Sequence, residues 1–416
     1  MMAAAPVWGI CIAAAAGVIA RPFRLPEAIW AVAGAVLLVI LGLMPLGDAL
    51  AAVAKGADVY LFLAGMMLLS EAARVEGLFD WLAATVVNRA GGSPRRLFAL
   101  VYAAGVVVTI FMSNDATAVV LTPAVYAAAK ASKADPLPLL FACALVANAA
   151  SFVLPISNPA NLVLYGGHMP TLRAWLGSFA LPSLTSIVTT FVALRLVERK
   201  RLFGSCAREV AREPLSKGGW AALAGVAGTA ALLLLMSALD RPLGLPTCIA
   251  GIATSIVVCA VSRRSPVELI ADVSWGVLPL VAGLFVLVEA VDRTGVIGTV
   301  ARALSRAAAH DASLASISSG TALAFASNLM NNLPAGLIAS TAIGQAHPPK
   351  LVVDSLLIGV DLGPNLSVTG SLATILWLSA IRREGENVGF WRFLKVGVAT
   401  MPPALAVALG VRLLIG

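Results

Sequence analysis

The sequence predicts an all-α, polytopic membrane protein with two inverted-topology repeats, broken helices and re-entrant helical hairpins. Three observations lead there: a composition that leaves too little polar surface for water, charge-free runs as long as a bilayer is thick, and a set of polar clusters that occurs twice. Of 416 residues, 60% are hydrophobic and 12% charged, and the mean hydropathy is +0.93. Soluble chains carry about a quarter charged residues, so lipid takes the place of the missing polar surface.

A helix of roughly 20 apolar residues crosses a bilayer core of about 30 Å. Charge-free runs of that length lie around Ile29–Gly47, Ala174–Leu194, Gly218–Leu239, Pro242–Val261 and Leu362–Ile381. A membrane barrel would need alternating segments of about 10 residues, and that pattern is absent. The runs and their breakers place helices at 5–20, 27–45, 59–74, 97–112, 117–132, 137–154, 178–197, 219–239, 246–262, 275–291, 314–328, 334–345, 351–362, 372–381 and 393–414. The start of the chain has no basic n-region and reads as an uncleaved first helix.

The net charge of +8 comes from 29 Lys and Arg set against 21 acids. The basic residues sit in short loops, as the positive-inside rule has it, with no aromatic-interleaved patch for nucleic acid, so no nucleic-acid partner is expected. The stretch Arg195–Lys217, with Arg89, Arg95, Arg96, Arg263, Arg264, Arg382 and Arg383, marks the cytoplasmic side. On this reading 1–50 holds N-terminal transmembrane helices and 51–197 the first inverted repeat. A basic cytoplasmic loop follows at 198–218, then connecting helices at 219–262 and the second repeat at 263–416. Cys11, Cys143, Cys206, Cys248 and Cys259 are scattered, as are His168, His310 and His347. Neither set has metal-ligand spacing, so no metal and no cofactor is expected.

The repeat is legible in the residues. Ala64-Gly65-Met66-Met67-Leu68-Leu69-Ser70-Glu71-Ala72 recurs 218 residues on as Ala282-Gly283-Leu284-Phe285-Val286-Leu287-Val288-Glu289-Ala290. Asn114-Asp115 matches Asn331-Asn332 at 217, a slip of one, and Asn148, Ala160 and Asn161 match Asp361, Ala373 and Thr374 at 213. The first copy follows an outer loop near Gly56 and the second follows Arg263-Arg264, so the copies enter from opposite sides. Inverted repeats characterise secondary transporters, which bind substrate at the midplane between the copies.

Four polar clusters interrupt the apolar segments, two in each copy. The first holds Ser113, Asn114 and Asp115, and the aspartate is costly there, at about 2.5–3.5 kcal/mol for a mid-membrane Asp. An Asp capping the helix behind it is the bland alternative. The second, Asn328 to Pro334, holds Asn331 and Asn332 and has lost the charge. The third holds Ser157, Asn158 and Asn161. The fourth runs from Asp361 through Gly363, Asn365, Thr369 and Gly370 to Ser371. Proline and glycine break the helices there, and exposed backbone is tolerated in a membrane only against protein or a watery cavity. These residues are the expected substrate site, with Asp115 first and Asp361 second as proton carriers. Glu71 and Glu289 also recur, and a structural role at hydrated helix ends is the cheaper reading for them.

The stretches SNDATAVVLTP from Ser113, SNPANLV from Ser157, MNNLPAG from Met330 and DLGPNLSVTGSLATILW from Asp361 resemble those of the arsenite/antimonite efflux permeases of the ion transporter superfamily, over nearly the whole chain. The resemblance implies a multi-pass protein of the bacterial inner membrane. It would expel arsenite or antimonite, as neutral trihydroxy acids, in exchange for protons, working alone or with a soluble ATPase. The residues agree in one respect: none of the four clusters contains Lys or Arg, whereas a carboxylate-selective site would use such charges. A sodium/proton antiporter of the same superfamily is the nearest rival. An intramembrane enzyme lacks its constellation, since no His lies near the clusters, and no G-x-x-x-x-G-K-[ST] occurs for an ATP-driven pump.

Overall fold

The computed structural model describes residues 4–166 and 169–416, leaving His168 outside. Helices α1 (Ala4–Ala20) and α2 (Glu27–Ile40) open the chain. Then come α3 (Leu46–Lys55), α4 (Ala57–Val75), α5 (Leu78–Ala90), α6 (Pro94–Met112), α7 (Asn114–Ala116), α8 (Thr122–Ala131), α9 (Pro136–Ala149), α10 (Pro159–Tyr165) and α11 (Leu172–Val197). A π turn over Thr117–Leu121 joins α7 to α8. Helices α12 (Lys217–Ala238) and α13 (Gly244–Ser262) lead to α14 (Pro266–Asp272), α15 (Val277–Arg293), α16 (Val296–His310), α17 (Ala312–Met330), α18 (Asn332–Ala346), α19 (Lys350–Leu362), α20 (Leu372–Arg383) and α21 (Phe390–Leu414). No strand occurs among the described residues.

The same element order is thus written twice, α3–α11 and α14–α21. Each copy opens on a bent pair, α3 with α4 at 51° and α14 with α15 at 42°. Ion pairs give the relative direction of the copies. Lys55 Nζ at the start of α4 lies 2.7 Å from Glu289 Oε2 near the end of α15, and Arg74 Nη2 at the end of α4 lies 2.9 Å from Asp272 Oδ2 ahead of α15. Helices α4 and α15 therefore run in opposite directions, as expected of an inverted repeat.

Among the described residues, five helices are long and apolar enough to cross a membrane by themselves, or up to seven when each bent pair counts as one span. Five short helices, α3, α5, α10, α14 and α16, escape a search for long apolar runs. Helix α16 shows why, since it buries only Ile297 and Ala301 while Arg302 and Arg306 face outward, the pattern of a helix lying along an interface. The chain turns into α5 at Gly77 and into α16 at Gly295, with φ of 70° and 83°. These positions are 218 residues apart, and only glycine adopts that conformation without cost.

Two packed groups emerge. Helices α1–α4 pack with α12–α15, and α5–α11 with α16–α21, the closest associations being α4 on α13 and α17 on α19. Both rest on glycine, because without a hydrophobic drive between helices in lipid, close backbone approach supplies the attraction. A Cβ on Gly65 would lie 2.2 Å from the Thr247 carbonyl oxygen, and one on Gly359 2.2 Å from that of Gly320. The two groups meet where α4 and α15 face α10 and α18. Arg264–Glu76 and Arg201–Asp135 pairs, at 3.3 and 2.9 Å, lie on one face with the basic loop, which the positive-inside rule assigns to the cytoplasm.

The glycine contact gives a test of this packing. Gly359→Val forces α17 and α19 apart at a backbone-to-backbone crossing, so thermal unfolding in detergent is expected to show a loss of about 1–3 kcal/mol or more.

Candidate functional site

Each copy contains two helix breaks. The first, between α6 and α7 and between α17 and α18, turns on one residue: Ser113 with φ 112° and ψ 161°, and Asn331 with φ 76° and ψ 153°. These are conformations that side chains adopt at a cost of about 1–3 kcal/mol. They are 218 residues apart, so the structure corrects the expected one-residue slip. Asn331 answers Ser113, Asn332 answers Asn114, and Asp115 answers Leu333, because the break itself, not the run of amides, is what the copies share. Asp115 is not the cap of its helix either. Ser113 holds that position without a side-chain bond, and Asp115 lies in the first turn, where the helix dipole favours its charge.

The second break keeps a spacing of 213 throughout. Helices α9 and α19 end at Ala149 and Leu362, 3-10 turns follow at Pro155–Ser157 and Val368–Gly370, and α10 and α20 start at Pro159 and Leu372. Asn148 thus answers Asp361, Asn158 answers Ser371, and Asn161 answers Thr374. An interrupted helix leaves carbonyls unpaired, and asparagine amides plug them. Asn161 Nδ2 donates to the carbonyls of Ser151, Leu154 and Pro155 at 3.0, 3.3 and 3.3 Å. Asn365 Nδ2 donates to the Leu145 carbonyl within α9 at 2.9 Å, across to the other copy.

The two breaks cross and bond to one another. Asn158 Nδ2 donates to Asp361 Oδ1 at 2.7 Å, and Asn148 Nδ2 to Asn365 Oδ1 at 3.0 Å and Thr374 Oγ1 at 3.4 Å. Ser371 and Thr374 share a bond of 2.7 Å. Asn148, Ser151, Asn161, Asp361, Asn365 and Ser371 are wholly buried. Among the described residues, four oxygens of the broken segments nevertheless have no donor: Asn114 Oδ1, Asn148 Oδ1, Asn161 Oδ1 and Asp361 Oδ2. Buried acceptors left open are expensive; three of these belong to the second breaks and Asn114 Oδ1 to the first.

A cavity opens toward each face between the two helix groups. The one on the basic face, about 710 Å³, reaches the first break, with Ser113, Asp115, Ala116 and Pro159 in its wall. Its charged lining is Glu71, Asp80, Asp115, Asp272 and Glu384 against Arg74 and Arg383. The opposite cavity, about 1030 Å³, is walled by α10 and α18 beyond their breaks and carries Lys55, Asp58, Asp240, Arg241 and Glu289. Glu71 and Glu289 therefore stand at opposite mouths. Glu71 is bound by Arg74, and Glu289 by Lys55 with Arg293 at 3.5 Å.

Of the residues singled out from sequence, Asn158, Asn161, Asp361, Asn365 and Ser371 come together in the crossing. Ser113 and Asp115 line the basic-face cavity instead. Asn114, Asn331 and Asn332 are buried at the first breaks, where Asn331 Oδ1 caps Leu333 N at 3.2 Å. Ser157 Oγ donates to the Ile110 carbonyl at 3.1 Å. Gly363, Thr369 and Gly370 lie against α17: Asn328 Nδ2 donates to the Gly363 carbonyl at 3.0 Å, Thr369 Oγ1 donates to the Asn328 carbonyl at 2.9 Å, and a Cβ on Gly370 would meet the Asn328 side chain at 2.7 Å. Sequence reasoning passed over Asp354, which is buried with Tyr165 and Arg412 around it. Its signal was the seven-residue interval to Asp361 on an apolar helix.

Replacing Ser113 by glycine relieves the unfavourable φ, so Ser113→Gly is expected to raise thermal stability by about 1 kcal/mol. Asn331→Gly should gain less, because it also forfeits a capping bond. The cavities make a separate prediction. A cysteine at Ala127 should react with a membrane-impermeant maleimide from the basic face only, and one at Ser340 from the opposite face only, in vesicles of known orientation.

A family profile described as citrate transporter (CitMHS) matches residues 13–381. The arsenical pump membrane protein of Escherichia coli strain K12 is 26% identical over 352 residues, 80% of each chain. An uncharacterized transporter of Mycobacterium tuberculosis is 25% identical over 97% of this chain and 96% of its own. Among solved structures, the YdaH transporter of Alcanivorax borkumensis, described as having an unusual topology, shares the fold. It superposes with a TM-score of 0.54 at 17% identity, over 88% of this chain and 86% of that one. The profile spans most of the chain, and on that basis the chain belongs to the citrate transporter (CitMHS) family of membrane transporters.

Proposed function

We propose that this chain is a secondary transporter that exports arsenite or antimonite from the cytoplasm across the bacterial inner membrane, by proton antiport with alternating access. The observation that carries this reading is the set of donor-less oxygens on Asn114, Asn148, Asn161 and Asp361. A neutral trihydroxy acid brings three hydroxyl donors, and a site built of acceptors without Lys or Arg suits it. The names of the Escherichia coli relatives point the same way. The family's description would suggest citrate, but the basic-face cavity is lined by more carboxylates than guanidiniums, and a polyanion would be repelled there.

Asp361 and Asp115 divide the proton work in this reading. Asp361 sits in the crossing with one oxygen free, so a proton and the substrate's hydroxyls compete for the same atom. Asp115 stands in the cavity wall, where a departing proton reaches water. The broken-helix group then moves against the helices around α4 and α15, presenting the crossing to each face in turn. Whether a soluble ATPase assists belongs to the same proposal, with the basic loop as its docking face. A second reading, a sodium/proton antiporter, is favoured by the same oxygens, since hard cations also take acceptor-only sites.

Everted vesicles containing the protein decide between them. Arsenite accumulation driven by an imposed proton gradient and abolished by an uncoupler is expected, with no requirement for sodium. Asp361→Asn should abolish coupled exchange, and Asp115→Asn should slow it about 10²-fold or more, the scale on which a positioned proton-transfer group acts. Sodium–proton exchange without arsenite movement would establish the antiporter reading instead.

A further inference from the structure

One buried carboxylate belongs neither to the breaks nor to the cavity walls. Asp354 lies on α19 and is fully buried. It precedes Asp361 by seven residues, so the two share a helix face about 10 Å apart. Its Oδ2 accepts from Arg412 Nε and Nη2 at 2.9 and 2.7 Å, on α21, and from Lys350 Nζ at 2.8 Å. Its Oδ1 accepts from the Tyr165 hydroxyl at 2.8 Å. Lys350 also donates to Ser178 of α11. With donors on both oxygens, Asp354 offers no open position to a ligand, in contrast to Asp361.

The geometry of α10 gives this group a purpose. Asn158 caps its start and donates to Asp361, while Tyr165 is its last residue and donates to Asp354. Seven residues separate the two donors on α10, and seven separate the two acceptors on α19. Helix α10 is therefore pinned along α19 by one side-chain bond at each end. It is too short to hold a position through its own backbone bonds, since isolated helices below about 12–15 residues are marginal.

We propose that Asp354, held by Arg412 and Lys350, is a positioning residue that acts through Tyr165. Anchoring the far end of α10 keeps Asn158 on one oxygen of Asp361 and leaves the other free for the substrate or proton. The inference rests on the role given to Asp361 above, but its test does not require that the substrate be known.

Tyr165→Phe removes one hydroxyl and keeps the ring against Trp175, whose centroid lies 5.7 Å away. In the full-length protein in lipid nanodiscs, amide hydrogen exchange in the 159–166 peptide is expected to rise roughly three- to tenfold, the effect of one buried hydrogen bond, with α13 unchanged. Modification of Asp361 by a hydrophobic carbodiimide, read by mass spectrometry, should accelerate by a similar factor, with Asp361→Asn as the blank. The paired change Asp354→Leu with Arg412→Gln, which removes the acceptor and leaves no lone buried guanidinium, should loosen α10 in the same way. Unchanged exchange in α10, acceleration spread over the whole chain, or a loosened α10 with unaltered Asp361 reactivity would each overturn the proposal. If arsenite is not transported, only the substrate reading falls.

Discussion

An interrupted helix inside a bilayer leaves amides and carbonyls that neither lipid nor solvent will bond, and the rest of this structure is organised around meeting that demand. The solution is a small set of asparagines. Asn161 gives its amide hydrogens to carbonyls of the break after α9 and Asn365 gives one to Leu145 within α9, while the Asn365 oxygen takes a bond from Asn148 in the crossing. The side chains that stabilise the broken helices are thus the same ones on which the proposed recognition rests. Glycine completes the arrangement from outside, since the frame that holds α19 against α17 depends on positions where no side chain fits.

The division into two helix groups follows from the same economy of contact. Within each group, helices meet at glycine-to-backbone distances; between the groups, α4 and α15 touch α10 and α18 with a cavity at either end. The groups also touch where α12 packs on α5, α6 and α11, so the cavities mark where contact between them is interrupted. The repeated glutamates fit this picture as ties within one group. Glu71 and Glu289 engage Arg74 and Lys55 where α4 and α15 pass each other, and their recurrence follows from the inversion that places them at opposite mouths.

Much of this was legible in the residues. A charge-poor chain with Asp and Asn clusters flanked by Pro and Gly has few physical solutions in lipid, so the all-helical fold, the duplication and the location of the breaks could be read directly. The register at the first break could not, because the amides of Asn114 and Asn331 align more attractively than the strained residues Ser113 and Asn331 that correspond in space. The short helices were illegible for a related reason: α16 has no long apolar run, only a stripe of two buried residues. Asp354 escaped notice because its partners Tyr165 and Arg412 are 189 and 58 residues away, and no local pattern announces a contact between such distant positions.

The two copies share a backbone plan but not their acids. Asp115 has Leu333 as its counterpart, and Asp361 has Asn148. Rotating the molecule end over end in the membrane would therefore move the Asp115 cavity to the other compartment. Handedness of insertion thereby acquires chemical meaning. By the positive-inside rule, the arginines and lysines of the short loops set which compartment meets an acidic vestibule, so orientation is settled once, during membrane insertion, before any ligand arrives.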